Sequence, residues 1–261
     1  MQIDVARYSK LISLKDTRHN EEREEKLLEI PATILDASGG IITWYIPDAL
    51  TDATQKEIWV ASDLLTPILE KSVKLDSNWQ TNQEWFKPSS ENDVLTPRCI
   101  NLSPAWFQQG HENQSDLEVS ASLKGASSKK ILKAIVRPAA IATMALRVMH
   151  PEQYWASMFN SLSVISNQET PNHQDHLSIP ECFDILTTVG NYSNARMSMP
   201  SLQLEFRYDP GCMIVFSRRI MRHGVHAVEG DQITWAWYMR DSIHVYAGVP
   251  LCGWARVDYK Q

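Results

Sequence analysis

The sequence predicts a β-rich α+β fold, a double-stranded β-helix of the jelly-roll or cupin type with helices packed on its outside. Three observations carry that expectation. Short β-branched or aromatic runs fill the second half of the chain: Leu162-Ser163-Val164-Ile165, Phe183 to Val189, Met213 to Phe216 and Ile233 to Tyr238. Each has the length and composition of a strand. Turn signals separate them, most clearly Asp209-Pro210-Gly211-Cys212, with Pro second and Gly third as a type II turn requires. Helical periodicity, by contrast, is confined to residues before 150. A chain of 261 residues is long enough for one sizeable core. The expected organisation is a single domain, with an N-terminal arm or helix over 1–30, helical and loop support over 31–150 and the barrel over 151–250.

In chain order, residues 19 to 28 are a charge run that reads as a solvated helix or arm. Thr33 to Tyr45 places two apolar runs around Gly39-Gly40, a hairpin signal. From Asp52 to Val73, Ile58, Ala61, Leu64, Leu65, Ile68 and Leu69 recur at helical spacing behind a Thr51/Asp52 cap, with Pro67 as a kink. Residues 75 to 128 are polar, and a loop that long is functional or disordered. Trp106 and Phe107 within it read as anchors on the core before contacts to a substrate. Residues 129 to 149 form a patterned helix, kinked or restarted at Pro138, that His150-Pro151 ends. Lys129, Lys130, Lys133 and Arg137 crowd its start against the macrodipole, either as a solvated basic face or as a binding patch. Gly190 to Asn194 reads as a turn after the Phe183 to Val189 strand, and Arg196 to Phe206 as two strands around Pro200.

The chemistry concentrates in His173, Asp175 and His223. One residue separates the imidazole from the carboxylate, and in extended backbone side chains at i and i+2 share a face. His223 follows 48 residues after Asp175, in a turn between the strands at Met213 and Ile233. Two histidines and one carboxylate on one face, with the other positions open, are the facial triad of non-haem Fe(II) oxygenases. His226, at an odd offset from His223, faces the other way in extended backbone.

Composition narrows the partners. A net charge of -6 and a pI near 5.8 exclude a global pull toward nucleic acid, so any such contact must come from a local patch. Cys99, Cys182, Cys212 and Cys252 are widely spaced and form no Cys-x-x-Cys pair. With no signal-like apolar segment at Met1-Gln2-Ile3-Asp4, they read as reduced thiols of an intracellular protein. No apolar run reaches the roughly twenty residues of a membrane span.

From about Ile135 to Tyr246 the chain resembles the fungal branch of the Tet/JBP family of Fe(II)- and 2-oxoglutarate-dependent DNA base dioxygenases. The resemblance rests on Ser163 to Asp175, Tyr208-Asp209-Pro210-Gly211, Arg222-His223-Gly224-Val225 and Ala236 to Asp241. It implies Fe(II) held by His173, Asp175 and His223, with 2-oxoglutarate as co-substrate and O₂ as oxidant. It also implies a monomer in the nucleus that acts on a methylated base flipped out of DNA, 5-methylcytosine before N6-methyladenine. Trp44, Tyr192, Trp235 and Trp237 are candidates to stack on such a base. Arg218, Arg219, Arg222 and His226 are candidate substrate contacts beside the metal, and surface charge is the competing reading for the arginines. His223, Val225 and Val228 also fit the prolyl 4-hydroxylase pattern around its distal histidine, with Gly230 one residue early, which favours His223 over His226 as ligand.

The chain departs from the family at one point. The family places an arginine after the distal histidine, where its planar fork pairs with the far carboxylate of 2-oxoglutarate. Here that place holds Gln232, with only neutral hydrogen bonds to offer. Either Arg240 supplies the charge from the end of the same strand, with Asn167 and Thr234 beside it, or co-substrate binding is weakened. In the extreme the protein is a catalytically silent binding module.

Overall fold

The protein is described from a computed structural model that covers residues 25–72, 78–87, 93–107, 116–153, 160–175 and 178–256. Two sheets form the core. The larger runs in the order β2 (Ala32–Leu35), β3 (Ile41–Ile46), β10 (Met213–Phe216), β7 (Asp184–Ser193), β12 (Glu229–Tyr238), β5 (Ser161–Ser166) and β4 (Arg98–Leu102). The smaller runs β1 (Lys26–Leu28), β9 (Leu204–Arg207), β8 (Arg196–Met199), β11 (His223–His226) and β6 (Thr170–His173). All pairings are antiparallel except that of β1 with β9.

The central strands β10, β7, β12 and β5 are largely buried on both faces, because helices cover the outside of the sheet. On the outer side Trp235, Trp237, Val164 and Ile185 pack with Ile58 and Leu65 of the first helical segment and Ile131 and Leu146 of the long helix. Those helices are α1 (Asp52–Asp63), α2 (Thr66–Leu69) and α3 (Ser128–Met149), followed late in the chain by α4 (Asp241–Ala247). Thr51 caps α1 by accepting from Thr54 N, and Pro67 stands in the first turn of α2, where a missing N–H costs nothing. Between the two sheets lie Tyr45, Met197, Phe206, Tyr208, Ile214 and Phe216, all without exposed surface.

Several expectations change. The sheets draw β1 to β4 from residues before 151. Lys26–Leu28, read as helix or arm, is a short strand, while residues 19–24 of that charge run lie outside the described residues. The polar span 75–128 contains a full strand, Arg98–Leu102, whose Cys99 and Asn101 pair with Ile165 and Ser163; residues 75–77, 88–92 and 108–115 of that span lie outside the described ones. The expected turn at Gly190 is instead a continuation of β7 to Ser193. Gly190 makes this possible: at φ 144° it lies against Asp231 of β12, so close that an added Cβ would sit 2.0 Å from the Asp231 carbonyl oxygen. His223 likewise belongs to a strand, β11, rather than to a turn. Gly211, at φ 89°, takes the third place of the Asp209 turn, closed by Cys212 N donating to Asp209 O. Among the described residues no helix is long and apolar enough to cross a membrane.

Candidate metal centre and its cleft

Pairing of β6 with β11 sets His173 directly opposite His223, with ring centroids 4.4 Å apart. Asp175 follows the end of β6, where Asp175 N donates to Arg218 O and Gln174 Nε2 to Ile220 O, so the loop is tied to the segment entering β11. His173 Nε2 stands 3.9 Å from Asp175 Oδ1. One donor atom from each of His173, Asp175 and His223 lies within 4.8 Å of the others, the spacing of ligands around a single ion.

The donor chemistry fits a divalent cation. His173 Nδ1 lies 2.8 Å from Pro171 O and His223 Nδ1 lies 3.0 Å from Met221 O. A carbonyl can only accept, so both Nδ1 atoms carry the proton and both Nε2 lone pairs remain for a metal. Burial pushes both imidazoles toward the neutral form, His173 downward and His223 down to about 3, with the neighbouring His173 adding to the effect on His223. A neutral imidazole is the state that binds metal. His226, by contrast, turns away and pairs with Glu205 at 2.9 Å.

Arg218 supports the carboxylate ligand. It was a candidate phosphate contact, but it is buried, with its guanidinium held by Asp175 at 2.8 Å and Asp184 at 3.0 Å over the ring of Tyr238. Burial pulls the guanidinium down, yet the charges of Asp175 and Asp184 outweigh it and the net shift is upward. At the other end of the pair, burial dominates and pushes the Asp184 carboxyl up to about 6. The directions differ because Arg218 is shared by two acids while Asp184 is wholly enclosed. Arg218 therefore stays cationic and fixes the orientation of Asp175.

His173 and His223 line a cleft continuous with solvent, and Arg218, which holds Asp175, lines it too. Its inner wall alternates along β12 as period-two geometry dictates, with Gln232, Thr234 and Ala236 facing in. Asn167, expected to touch co-substrate, is spent inside the protein. Its amide donates to Leu95 O and Asp231 Oδ1, and its carbonyl accepts from Gln232 N. Arg240 also falls outside the cleft, beyond the end of β12, with its guanidinium over the ring of Trp106. Arg218 is the one cation among the described residues that line the cleft. Arg219 donates to Ser178 O and, with Arg222, is half-buried beside the site.

None of the four aromatics expected to meet a base lines the cleft. Trp235 and Trp237 face the helices, Trp44 packs on the same cluster, and the Tyr192 hydroxyl donates to Tyr208 O. The aromatic at the site is Trp79, its ring centroid 4.6 Å from that of His173. Gln168 Nε2 holds it there by donating to Trp79 O. In the sequence its only signal is an isolated tryptophan in polar surroundings, Ser77-Asn78-Trp79-Gln80.

The family model described as the oxygenase domain of the 2OGFeDO superfamily, Tet_JBP, matches residues 103–246. The chain belongs to this family. It is a 2-oxoglutarate/Fe(II)-dependent dioxygenase, whose cofactors are Fe(II), 2-oxoglutarate and O₂. Its fold is shared with NgTET1 in complex with 5mC DNA, at 14% identity and a TM-score of 0.52 over 84% of this chain and 81% of that one. An oxidoreductase of the 2OG-Fe(II) oxygenase family from Burkholderia pseudomallei aligns at 15% identity and a TM-score of 0.45, covering 77% and 84% of the two chains. OsALKBH1 aligns at 10% identity and 0.41, covering 75% and 97%. No curated protein matches.

Proposed function

We propose that this Tet/JBP oxygenase oxidises a methylated base in DNA, 5-methylcytosine first, with Fe(II) held by His173, Asp175 and His223. The observation that carries the reading is the intact His-Asp-His donor set, whose histidines line a cleft beside a tryptophan packed on His173, in a chain of this family. The common fold with a protein solved on 5mC DNA supports this choice of substrate. With its co-substrate and O₂, Fe(II) supplies an oxidant strong enough to break a methyl C–H bond.

The remaining work belongs to the protein. The two Nδ1–H groups, anchored on Pro171 O and Met221 O, hold both imidazoles in the metal-binding tautomer. Arg218 keeps Asp175 aimed at the same point. A methyl group stacked inside a duplex is out of reach, so the base must leave the helix, and Trp79 offers the flat surface on which it stacks. Arg219 and Arg222, beside the metal loop, provide phosphate contacts that the net charge of -6 does not. Duplex oligonucleotides carrying 5-methylcytosine or N6-methyladenine, incubated with Fe(II) and 2-oxoglutarate, test the reading by base analysis and succinate release. Oxidised 5-methylcytosine with stoichiometric succinate is expected. Conversion of the adenine alone reassigns the substrate, and succinate without change in either base removes DNA from the reading.

A further inference from the structure

The Gln232 end of the cleft is lined by a buried neutral amide. Gln232 is 2% exposed and lines the cleft, and its side chain meets the Tyr192 hydroxyl. That hydroxyl already donates to Tyr208 O at 2.7 Å and meets Thr188 Oγ1 at 2.9 Å. A primary amide offers a ligand donors and an acceptor but no charge. The backbone leaves this amide little choice of place. Gln232 N is fixed by Asn167 Oδ1, and Gly190, opposite in the register, brings β7 against β12.

Charge decides which ligand fits. Among the described residues that line the cleft the one cation is Arg218, whose guanidinium lies over the ring of Tyr238, six residues along β12 from Gln232. It is already divided between Asp175 and Asp184. A carboxylate placed against Gln232 would lose water and find only neutral donors, which is the costly way to bury a charge. A divalent ion together with Asp175, Asp184 and Arg218 leaves a single positive charge, which one carboxylate neutralises and a second overshoots. An amide tail, unlike a carboxylate, can both give to and accept from the Gln232 amide.

We propose that this end of the cleft makes the enzyme accept 2-oxo acids with an uncharged, hydrogen-bonding far end at least as readily as the diacid 2-oxoglutarate, and that Gln232 is the residue that sets this preference. The proposal rests on the dioxygenase reading of the site above. N-oxalylglycine and its primary amide, which keep the oxalyl head and are not decarboxylated, test it by calorimetric binding to the full chain loaded with Mn(II). The expected result is an amide affinity equal to or tighter than that of the acid. Gln232→Arg should invert the order and favour the acid by about tenfold or more, since charge-assisted forked pairs are roughly twice as strong as neutral ones. Gln232→Glu should weaken the acid more than the amide. A wild-type preference for the acid of tenfold or more, or a Gln232→Arg variant with an unchanged ratio, overturns the proposal and leaves the dioxygenase reading standing. If neither compound binds the metal-loaded protein, the proposal and the assignment of the cleft to the co-substrate fall together.

Discussion

Asp184→Asn isolates a carboxylate that burial disfavours in the barrel interior. Asp184 has no exposed surface; its Oδ2 receives Arg218 Nε at 3.0 Å and the Ser178 hydroxyl at 3.3 Å, and its Oδ1 has no hydrogen-bond partner. Burial, against the pull of Arg218, raises the carboxyl from 3.8 to about 6. A group whose folded pKa lies above its unfolded value contributes stability that is fully present below the unfolded value and is lost as pH rises through the folded one. For Asp184 that window runs from about pH 4 to about pH 6. The gap of about two units corresponds to roughly 3 kcal/mol, with a slope no steeper than about 1.4 kcal/mol per pH unit. Asparagine keeps the shape and an acceptor for Arg218 but does not titrate. Urea unfolding of metal-free wild type and variant between pH 4 and 7 gives the difference, in which other titrating groups cancel. The variant should gain on the wild type by about 3 kcal/mol as pH rises across the window. Parallel stability profiles would refute the assignment of a raised, uncompensated carboxyl to Asp184.

Three further outcomes follow from the geometry. His223→Ala should lose stoichiometric Mn(II) or Fe(II) binding in metal analysis, whereas His226→Ala, which loses only the Glu205 pair at 2.9 Å, should retain it. Trp235→Ala removes a side chain with no exposed surface whose Nε1 donates to the Ser62 hydroxyl at 2.9 Å, and should cost about 3–5 kcal/mol in urea unfolding. Gly190→Ala places a methyl group 2.0 Å from the Asp231 carbonyl at φ 144°, and should lower the thermal midpoint while prising β12 from β7 beside Gln232.

Much of the fold was legible because its strands announce themselves by composition. Val164, Ile185, Val215 and Ile233 belong to β-branched runs, and the Asp209-Pro210-Gly211 turn closes as its residues demand. The donor triplet was legible for a related reason. A one-residue spacing in extended chain puts His173 and Asp175 together locally, and His223 enters as their cross-strand neighbour. The strand at Arg98–Leu102 was hidden because a polar, proline-bearing span surrounds it, and only pairing with β5 gives its Cys99 and Asn101 an inward face. Gly190 was misread in the same way. A glycine in an apolar run signals a turn by propensity, but here it accommodates the close approach of a neighbouring strand.

The charged residues were the least legible, because proximity in sequence says nothing about which side of a strand end a long side chain takes. Arg218, Arg219 and Arg222 read as one basic cluster approaching His223. The fold separates them. β10 delivers Arg218 into the barrel mouth, where two acids from different segments, Asp175 after β6 and Asp184 at the start of β7, converge on it. Neither acid is near it in sequence, so no local pattern could mark the contact. Arg240 shows the converse: it continues the inward parity of Gln232, Thr234 and Ala236, and parity alone would put it in the cleft. The strand stops at Tyr238, however, and the guanidinium comes to rest on Trp106. A rule of alternation holds only while the ladder does, which is why the inner polar end of this cleft is left to Gln232 and not to an arginine.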